Sequence, residues 1–567
     1  MIDDVLIGIG RHGERSMLSP LDRSTHMHVL GASGRGKSKF LENLIRQDIE
    51  KRHGLCLIDP HGTLYDEIVA WSASLRLADR RRIHLIDPND TEWTVGFDPF
   101  RCDVTDSDLL SVTVDGAVEA CAQVWGGEDT NKTPMLKKCL RAVFYALAAT
   151  GRPFSDALAL TATNDPNGFR AEVTANLHDP VFLRLWDDFR FLDKRQFTET
   201  FSSTVNRLAE FLTSPTVRRM LSQKENTLDL RRCMEEGDII LVNLKTKKIS
   251  SSNARLIGTL LTNALFKTAV QRSEKDAKRR PFYLYIDECY QYLTSDVEAM
   301  LDQTRKFGLH VILAHQHLEQ LRKYGDHVFN AVMTNAQTRV IFGGLSDTDA
   351  EFMAKETLRE TFDYNVSKAI LEKPTVVGYE RIWMRNRGRS YSEAETDGSN
   401  MSEGKASSIS TSNTTSQSYD PWGLPMPGYS KSVALGQVEG GNTGRGTSYA
   451  KTKGYSESEG ESEALFPIFE TLPSAVEGQE EIMNRAILRL RKLNRGLFIL
   501  ARPDADPVLT SAPLIPPLAI RPDRIEAFKT AVLSKSPFIM RRGTAELEPK
   551  PAPMVADDDD PFSVPER

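Results

Sequence analysis

Short apolar runs, each followed by a helical stretch, dominate two separate parts of this sequence. In residues 1–104 the runs are HMHVLG, GLCLIDPHG and RRIHLIDPND. In residues 235–387 they are DIILVNL, PFYLYIDE, GLHVILAHQ and QTRVIFGG. Strands that alternate with helices form βαβ units, and such units build a mainly parallel sheet. The predicted fold class is therefore α/β.

The remaining parts of the chain differ from these two in pattern. Residues 105–234 have apolar residues at helical spacing, as in LKKCLRAVFYALAATG, which predicts a mainly helical insertion in one α/β domain. Residues 388–464 are rich in Ser, Gly and Thr, which favours a low-complexity linker. Alternation in SYSEAETDG leaves a solvated hairpin as the alternative. A small C-terminal region, 465–540, and a disordered acidic tail, 541–567, complete the predicted organisation.

One glycine-rich segment fits a phosphate-binding loop. Its residues are Gly31, Ala32, Ser33, Gly34, Arg35, Gly36, Lys37 and Ser38. It follows an apolar run and precedes the helical stretch KFLENLIRQDI, the context that GxxxxGK[ST] requires. Backbone N–H groups of such a loop face phosphate oxygens, Lys37 reaches the β- and γ-phosphates, and Ser38 ligates Mg²⁺. We predict a P-loop NTPase domain of the RecA-like type that binds ATP and Mg²⁺.

An acidic pair follows a later apolar run, PFYLYI. Asp287 and Glu288 end this predicted strand, so both carboxylates are expected at the carboxyl edge of the sheet, where ligands bind in open α/β folds. Asp287 is predicted to hold Mg²⁺. Glu288 is predicted to polarise the attacking water as the general base. Solvated acids at an ordinary strand end are the alternative, and the P-loop favours the catalytic interpretation.

Two further polar residues flank the next apolar strand. Arg305 precedes it in DQTRKFGLHV, and Gln316 follows it in ILAHQHLEQL. A strand beside that of Asp287 would bring Gln316 near the γ-phosphate as a sensor, and Arg305 would act on a neighbouring subunit's nucleotide. A surface arginine and a helix-capping glutamine are the alternatives.

Histidines adjoin two of the strand ends. Asp59 and His61 follow the apolar run GLCLI. Asp59 could belong to the magnesium shell, and His61 could contact a phosphate or DNA. The alternative is an ordinary turn that ends the strand. His315 and His317 flank Gln316, but a metal site needs more ligands than these two.

Basic residues are balanced by acids over the whole chain. Its 72 Lys and Arg against 78 Asp and Glu give a net charge of −6, which excludes a globally basic nucleic-acid coat protein. Two local runs, Arg80–Arg82 and Lys245–Lys248, are expected mainly on solvated faces. The second is the better candidate for DNA contact because it follows a predicted strand of the ATPase domain.

Cysteine usage and hydropathy restrict the cellular setting. The six cysteines form no CxxC pair, which argues against a zinc ribbon or a disulfide framework and fits a reducing cytosol. We find no run of about 20 apolar residues for a membrane span, and the acidic N-terminus does not fit a signal peptide. The expected location is cytoplasmic, or peripheral at the inner membrane through a partner.

The ordered series of motifs resembles the HerA–FtsK superfamily of ring-forming P-loop ATPases, and within it the conjugative coupling proteins of the TraG/TraD class. The resemblance rests on GASGRGKS, LCLIDPHG, the helical insertion, YLYIDECYQYL, TRKFGLHVILAHQHLEQLRKYG and NAVMTNAQTRVIFGGLSDTDAEFMA. It covers most of residues 25–360. Those proteins usually begin with transmembrane helices, and here the P-loop starts at Gly31 with no apolar span before it.

The resemblance implies a DNA translocase that works as a homo-hexamer. It assigns Lys37 and Ser38 to phosphate and Mg²⁺, Asp287 to Mg²⁺ and Glu288 to water. Arg305 matches the family's trans-acting arginine, and Gln316 its strand-end glutamine. The helical insertion resembles the domain that contacts DNA and the relaxosome, so relaxase or secretion-channel subunits are expected partners. The acidic tail around Asp557–Asp560 serves either partner docking or solvation.

Two other functions stay open at this point. A soluble HerA-like helicase or translocase in repair or anti-phage defence would work with a nuclease partner. A nucleotide-switched scaffold would use ATP to change its assembly, although it has less need of a water-activating acid such as Glu288.

Overall fold

The protein is described here from a computed structural model. The described residues are 3–10, 13–126, 134–165, 167–223, 227–272, 280–294, 296–323, 325–358, 372–394, 411–414, 418–419, 425–426, 430–433, 452–473 and 479–541. The predicted acidic tail from residue 542 onward, with Asp557–Asp560, lies outside them.

Nineteen strands are found in the described residues. They are β1 (Val5–Gly10), β2 (Arg15–Leu18), β3 (Met27–Leu30), β4 (Gly54–Asp59), β5 (Ile83–Ile86), β6 (Trp93–Val95), β7 (Ile239–Asn243), β8 (Phe282–Ile286), β9 (Leu309–His315), β10 (Thr338–Phe342), β11 (Glu372–Ala394), β12 (Thr411–Thr414), β13 (Ser418–Tyr419), β14 (Pro425–Met426), β15 (Ser430–Val433), β16 (Thr452–Pro473), β17 (Leu497–Arg502), β18 (Ala505–Ser511) and β19 (Ile539–Arg541).

The α-helices of the same residues number eighteen. They are α1 (Pro20–Ser24), α2 (Lys37–Glu50), α3 (Thr63–Ser74), α4 (Ser107–Gly126), α5 (Pro134–Ala149), α6 (Ala157–Leu160), α7 (Phe169–Ala175), α8 (Pro180–Arg190), α9 (Lys194–Leu212), α10 (Pro215–Leu221), α11 (Leu230–Glu236), α12 (Ser251–Val270), α13 (Val297–Lys306), α14 (Glu319–Arg322), α15 (Asp326–Asn335), α16 (Asp347–Thr357), α17 (Gln479–Lys492) and α18 (Pro522–Lys535).

An eleven-stranded sheet organises the larger unit, residues 1–357 and 487–567, in the order β2-β1-β18-β17-β10-β3-β9-β8-β4-β7-β5. The run from β10 to β5 is parallel, and the other four strands pair antiparallel at one side. Every residue of β4, β7 and β8 is buried, as expected for parallel strands covered on both faces. The predicted α/β class is confirmed.

Helices cover the sheet because their apolar faces pack against the apolar side chains of the strands. Phe40 of α2, Ile68 of α3 and Phe528 of α18 share one buried core with the strands. Fully burying an aromatic or branched aliphatic side chain contributes about 1.5–3 kcal/mol, so this shared core is a main source of the unit's stability. The core holds the strand ends of the parallel sheet in one row.

The described chain between β6 and β7 is helical, with α4 to α11 in the region predicted as the insertion. Side-chain caps begin several of these helices, among them α8 and α9. Asp179 accepts bonds from the N–H groups of Val181 and Phe182 at the start of α8. Asp193 and Gln196 form a reciprocal capping box at the start of α9. The starts of α8 and α9 are therefore determined locally.

The C-terminal part contributes directly to the main sheet. The sequence predicts a separate region for residues 465–540, and in the structure β17 pairs with β10 and β18 pairs with β1. The N–H of Gly496, just before β17, donates to the carbonyl of Arg35 at 2.9 Å. The hairpin β17–β18 thus completes the sheet beside the glycine-rich loop.

The smaller unit, residues 358–486, contains a long antiparallel pair of strands. Strand β11 pairs with β16 from Glu372–Pro473 to Ala394–Thr452. Residues 388–394 and 452–464, which the sequence assigns to a linker or a solvated hairpin, lie in these two strands. Shorter pairs, β12–β15 and β13–β14, lie between these strands in sequence.

Among the described residues, no helix has both the length and the apolar character for a membrane span.

Candidate active site

The glycine-rich loop joins β3 to α2 and is shaped by its glycines. Gly34 and Gly36 have φ angles of 74° and 117°, which other residues adopt only with strain. A Cβ at Gly31 would lie 2.4 Å from the Cβ of Phe342, so only glycine fits there. The loop therefore curls tightly and presents its backbone N–H groups at the start of α2, the arrangement of an anion site.

Lys37 and Ser38 begin the helix that follows the loop. The Lys37 ammonium is buried and donates to the carbonyls of Gly31 and Ala32. Burial lowers the pKa of Lys37, while Glu288 and Asp287 act in the opposite direction. Ser38 is exposed in the first turn of α2. The cation thus lies within electrostatic reach of the acidic pair.

Asp287 and Glu288 directly follow β8, and both are about 5% exposed or less. Burial, then the carboxylates of Glu288 and Asp59, raise the pKa of Asp287 to about 7, against the opposing charges of Lys37 and His61. Glu288 has a φ of 48°, an unfavourable conformation for a non-glycine residue. The chain therefore accepts strain and buried charge at one point, as functional sites often do.

Gln316 contacts this pair from the neighbouring strand. Strand β9 lies between β3 and β8, and Gln316 follows its last residue. The amide Nε2 of Gln316 donates to Oε1 of Glu288 at 2.6 Å. The other carboxylate oxygen, Oε2, is buried without a hydrogen-bond partner in the described residues. One oxygen is thus held while the other stays available to a ligand.

Two side chains without a predicted role, Gln320 and Asp349, also contact the turn after β9. Oε1 of Gln320 accepts bonds from the N–H groups of Gln316 and His317, at 3.1 and 3.0 Å. Oδ2 of Asp349 lies 3.4 Å from the N–H of Leu318. Gln320 follows Gln316 by one helical turn, a spacing visible in the sequence, whereas Asp349 had no local signal.

Arg305 lies away from these residues within its own chain. It is exposed near the C-terminal end of α13, before β9, whereas Gln316 follows β9. The seven residues of β9 separate the two, and a strand rises by about 3.3 Å per residue. The fold brings Lys37, Asp287, Glu288 and Gln316 together, and it places Arg305 at the amino end of the same strand.

Asp59 ends β4 and serves the following turn. Its carboxylate accepts bonds from the N–H groups of His61 and Tyr65, at 2.8 and 2.9 Å. Asp59 is buried and its charge contributes to the raised pKa of Asp287, while His61 is exposed. The carboxylate of Asp59 thus holds the turn after β4, and its place in the magnesium shell stays a prediction.

The two basic runs differ in their contacts. Arg81 donates to the carbonyls of Ile49, His53 and Gly237, which ties loops together. Lys245–Lys248 are exposed after β7, and both ends of this loop bond to Asn89 at 2.8 Å. The loop is therefore an anchored basic surface at the carboxyl edge of the sheet.

Two groups of side chains contain residue types that bind metals. Both ring nitrogens of His315 are bonded, to the carbonyl of His317 and to His28, which leaves no ligand atom there. Within the described residues His84, Cys233 and Asp238 converge. Asp238 already pairs with Arg82 at 3.0 Å and with His84 at 2.8 Å, contacts that account for its burial.

Comparison with known proteins places this geometry in a family context. Residues 281–418, about a quarter of the chain, match the family described as the TraM recognition site of TraD and TraG. The bacterial conjugative coupling protein TrwB, in a form lacking N-terminal residues, superposes with a TM-score of 0.50 at 14% identity. That alignment covers 88% of this chain and 87% of TrwB. This chain has a TraG/TraD-like P-loop ATPase fold.

Two other structures are similar over smaller shares of this chain. TrwB in complex with ADP and Mg²⁺ aligns with 59% of this TraG/TraD-like chain and 75% of its own, at 18% identity and a TM-score of 0.43. VirB4 of Thermoanaerobacter pseudethanolicus aligns with 65% of this chain and 90% of its own, at 13% identity and a TM-score of 0.41. A search among curated proteins finds no match.

Proposed function

We propose that this protein is an ATP-hydrolysing DNA translocase of the conjugative coupling-protein type. The observation that carries the proposal is the bonding of Glu288. Gln316 holds one oxygen of its carboxylate, and the other is buried and unpartnered in the described residues, within electrostatic reach of Lys37. A buried, half-bonded carboxylate beside a phosphate-binding loop is suited to take a proton from an attacking water.

The chain's own residues fit ATP and Mg²⁺. The N–H groups of the loop and the start of α2 suit phosphate oxygens, and Lys37 supplies a cation beside them. Asp59, Asp287 and Glu288 crowd negative charge into a buried space, and this raises the pKa of Asp287. A divalent ion bound by Asp287 and Ser38 would favour the ionised carboxylate and neutralise charge on the transferring phosphoryl group.

The proposed division of labour follows from these positions. Lys37 binds the β- and γ-phosphates, Ser38 and Asp287 hold the ion, and Oε2 of Glu288 accepts the proton of water. Gln316 orients Glu288 through the bond to Oε1 and senses the γ-phosphate. Burial keeps bulk water from screening these charges.

Arg305 is proposed to act in a neighbouring subunit of a homo-hexamer. The length of β9 keeps it from the acidic pair of its own chain, and its exposure leaves it accessible to another copy. In mixtures of Arg305→Ala and Lys37→Ala protein, an arginine acting in trans predicts partial recovery of hydrolysis. No recovery would assign Arg305 to its own subunit or to no role in hydrolysis.

DNA and a relaxosome protein are the proposed macromolecular partners. The exposed loop Lys245–Lys248 offers phosphate contacts on the sheet edge that carries the acidic pair. The family description of residues 281–418 names recognition of TraM, and a partner of that kind is proposed here. Such a partner would connect the motor to DNA transfer.

ATP hydrolysis with and without DNA tests the proposal. Lys37→Ala protein provides the blank, because it lacks the phosphate-binding cation. Hydrolysis above the blank that rises severalfold with DNA is expected. Hydrolysis indistinguishable from the blank would remove the enzymatic part, and hydrolysis indifferent to DNA would favour a nucleotide-switched scaffold.

A further inference from the structure

Two buried histidines join the strand of the phosphate-binding loop to the strand of Gln316. His28 lies in β3 and His315 ends β9, and both are fully buried. Their Nε2 atoms are 2.6 Å apart, and the two rings are nearly parallel, with centroids 4.9 Å apart. Nδ1 of His315 lies 2.9 Å from the carbonyl oxygen of His317. The two rings thus form a chain of polar contacts that ends at the turn carrying Gln316.

The proton positions follow from the partners. A carbonyl oxygen only accepts, so Nδ1 of His315 carries the proton of that contact. Burial lowers the pKa of His315 to about 4, although the His317 carbonyl acts in the opposite direction, so the ring is neutral near pH 7 and its Nε2 accepts. Burial also lowers the pKa of His28, so this ring is neutral as well, and it donates from Nε2 and leaves Nδ1 without a proton.

One nitrogen of this histidine pair has no partner within the described part of the chain. Nδ1 of His28 is buried and has no hydrogen-bond partner in the described residues. A buried, unsatisfied nitrogen in the middle of a parallel strand is unfavourable, and such groups in folded proteins call for an explanation. An apolar residue would fill the same space in β3 without that cost.

We propose that His28 and His315 are positioning residues that hold the turn after β9 so that Gln316 faces Glu288. His315 fixes the turn by donating to the His317 carbonyl, and His28 fixes the orientation of the His315 ring. The predicted effect on kcat rests on the proposed function, because it requires ATP hydrolysis. The structural consequence, the place of the Gln316 amide, is independent of hydrolysis.

Two substitutions of similar size separate this role from core filling. In His315→Asn the side-chain amide replaces Nδ1 and still donates to the His317 carbonyl. In His315→Gln the amide reaches the Nε2 position beside His28 and loses the bond to the turn. We expect kcat to fall about tenfold or more in His315→Gln and to stay within about threefold in His315→Asn, with KM for ATP little changed in both.

A double-mutant cycle with Gln316 tests the route of the effect. If His315 acts through Gln316, then His315→Gln causes little further loss of kcat in a Gln316→Ala background. Equal kcat values for the Asn and Gln variants, or full additivity with Gln316→Ala, would overturn the proposal.

Crystal structures of the two variants give the second, independent measurement. The Gln316 amide is expected to stay in contact with Glu288 in His315→Asn and to leave it in His315→Gln. If wild-type protein does not exceed the Lys37→Ala blank, the proposed function fails, and these two structures still decide the positioning role. An unchanged Gln316–Glu288 contact in His315→Gln would disprove it.

Discussion

Two buried carboxylates near strand β8 contrast in how completely they are bonded. Asp48 of α2 accepts two bonds from the guanidinium of Arg23, at 2.6 and 2.7 Å, and also contacts Tyr285 of β8. Glu288, three residues beyond Tyr285, keeps one buried oxygen without a partner in the described residues. The carboxylate of Asp48, which contacts β8, is therefore fully bonded, whereas that of Glu288, which follows β8, is bonded through one oxygen.

The contrast appears in the pKa values of the two sites. Burial alone would raise the pKa of Asp48, but Arg23 and hydrogen bonds lower it to about 2. Burial and neighbouring carboxylates raise the pKa of Asp287 to about 7. The paired charge of Asp48 contributes to the specificity of the fold. The carboxylates of Asp287 and Glu288 lie close together with few hydrogen bonds, which favours binding of a cation or a proton.

The largest expected effect is on hydrolysis, from Glu288→Gln. This variant keeps the shape of the side chain and removes the proton acceptor, so turnover should fall by about 10²–10⁴ while nucleotide binding persists. Steady-state turnover and nucleotide titration measure the two quantities. Glu298→Gln, on the exposed face of α13, is the control and should leave turnover unchanged. Near-normal turnover in Glu288→Gln would contradict the assigned role.

Stability should respond most to Asp48→Ala. The change leaves the Arg23 guanidinium buried and unpaired, and removing one partner of a buried ion pair costs about 3–5 kcal/mol. Denaturant unfolding measures the loss. Lys355→Ala, which removes an exposed pair with Glu351, is the control. Asp48→Leu combined with Arg23→Met should recover most of the stability, since both charges are then absent.

A smaller, pH-dependent effect is expected from Asp287→Asn. The folded protein holds the Asp287 proton to about pH 7, whereas the unfolded chain loses it near pH 4. The wild type therefore loses stability relative to the variant as the pH rises between these values. Without nucleotide, the variant should be more stable by about 2–4 kcal/mol at pH 8 and by almost nothing at pH 4. A pH-independent difference would contradict the raised pKa.

The smallest expected effect comes from Tyr285→Phe. The Tyr285 hydroxyl donates to Asp48 and accepts from Arg23 at 3.0 Å. One hydrogen bond to a charged group contributes about 1.5–3 kcal/mol to the free energy of unfolding. The bidentate Arg23–Asp48 contact remains, so we expect a loss of about 1–2 kcal/mol with unchanged hydrolysis. A tenfold loss of turnover would show that the Arg23–Asp48 pair and Glu288 are coupled through β8.

Local chemistry explains which parts of the active site the sequence predicted. Gly34 and Gly36 adopt positive φ angles that other residues rarely accept, so the glycines in the sequence predict the shape of this loop. Asp287 and Glu288 end an apolar strand, and their place at the carboxyl edge follows from the parallel βαβ pattern. Their roles remain predictions that the variants above test.

Other contacts depend on strand order, which local pattern does not encode. The Gln316–Glu288 contact exists because β9 lies next to β8, and the His28–His315 contact because β9 also lies next to β3. Likewise, β17 reaches the glycine-rich loop from the far end of the chain. Residues so distant in sequence leave no periodic signal of their proximity.

The sequence by itself thus determined the α/β class, the glycine-rich loop between strand and helix, and the acidic strand end, because backbone preferences and burial patterns act over a few residues. Only the tertiary structure decided that one oxygen of Glu288 is held and the other left without a partner in the described residues. It also decided that Arg305 stands apart from the acidic pair. The physical reason is that satisfying a buried polar group depends on which strands become neighbours, and that choice is made by the packing of the whole sheet.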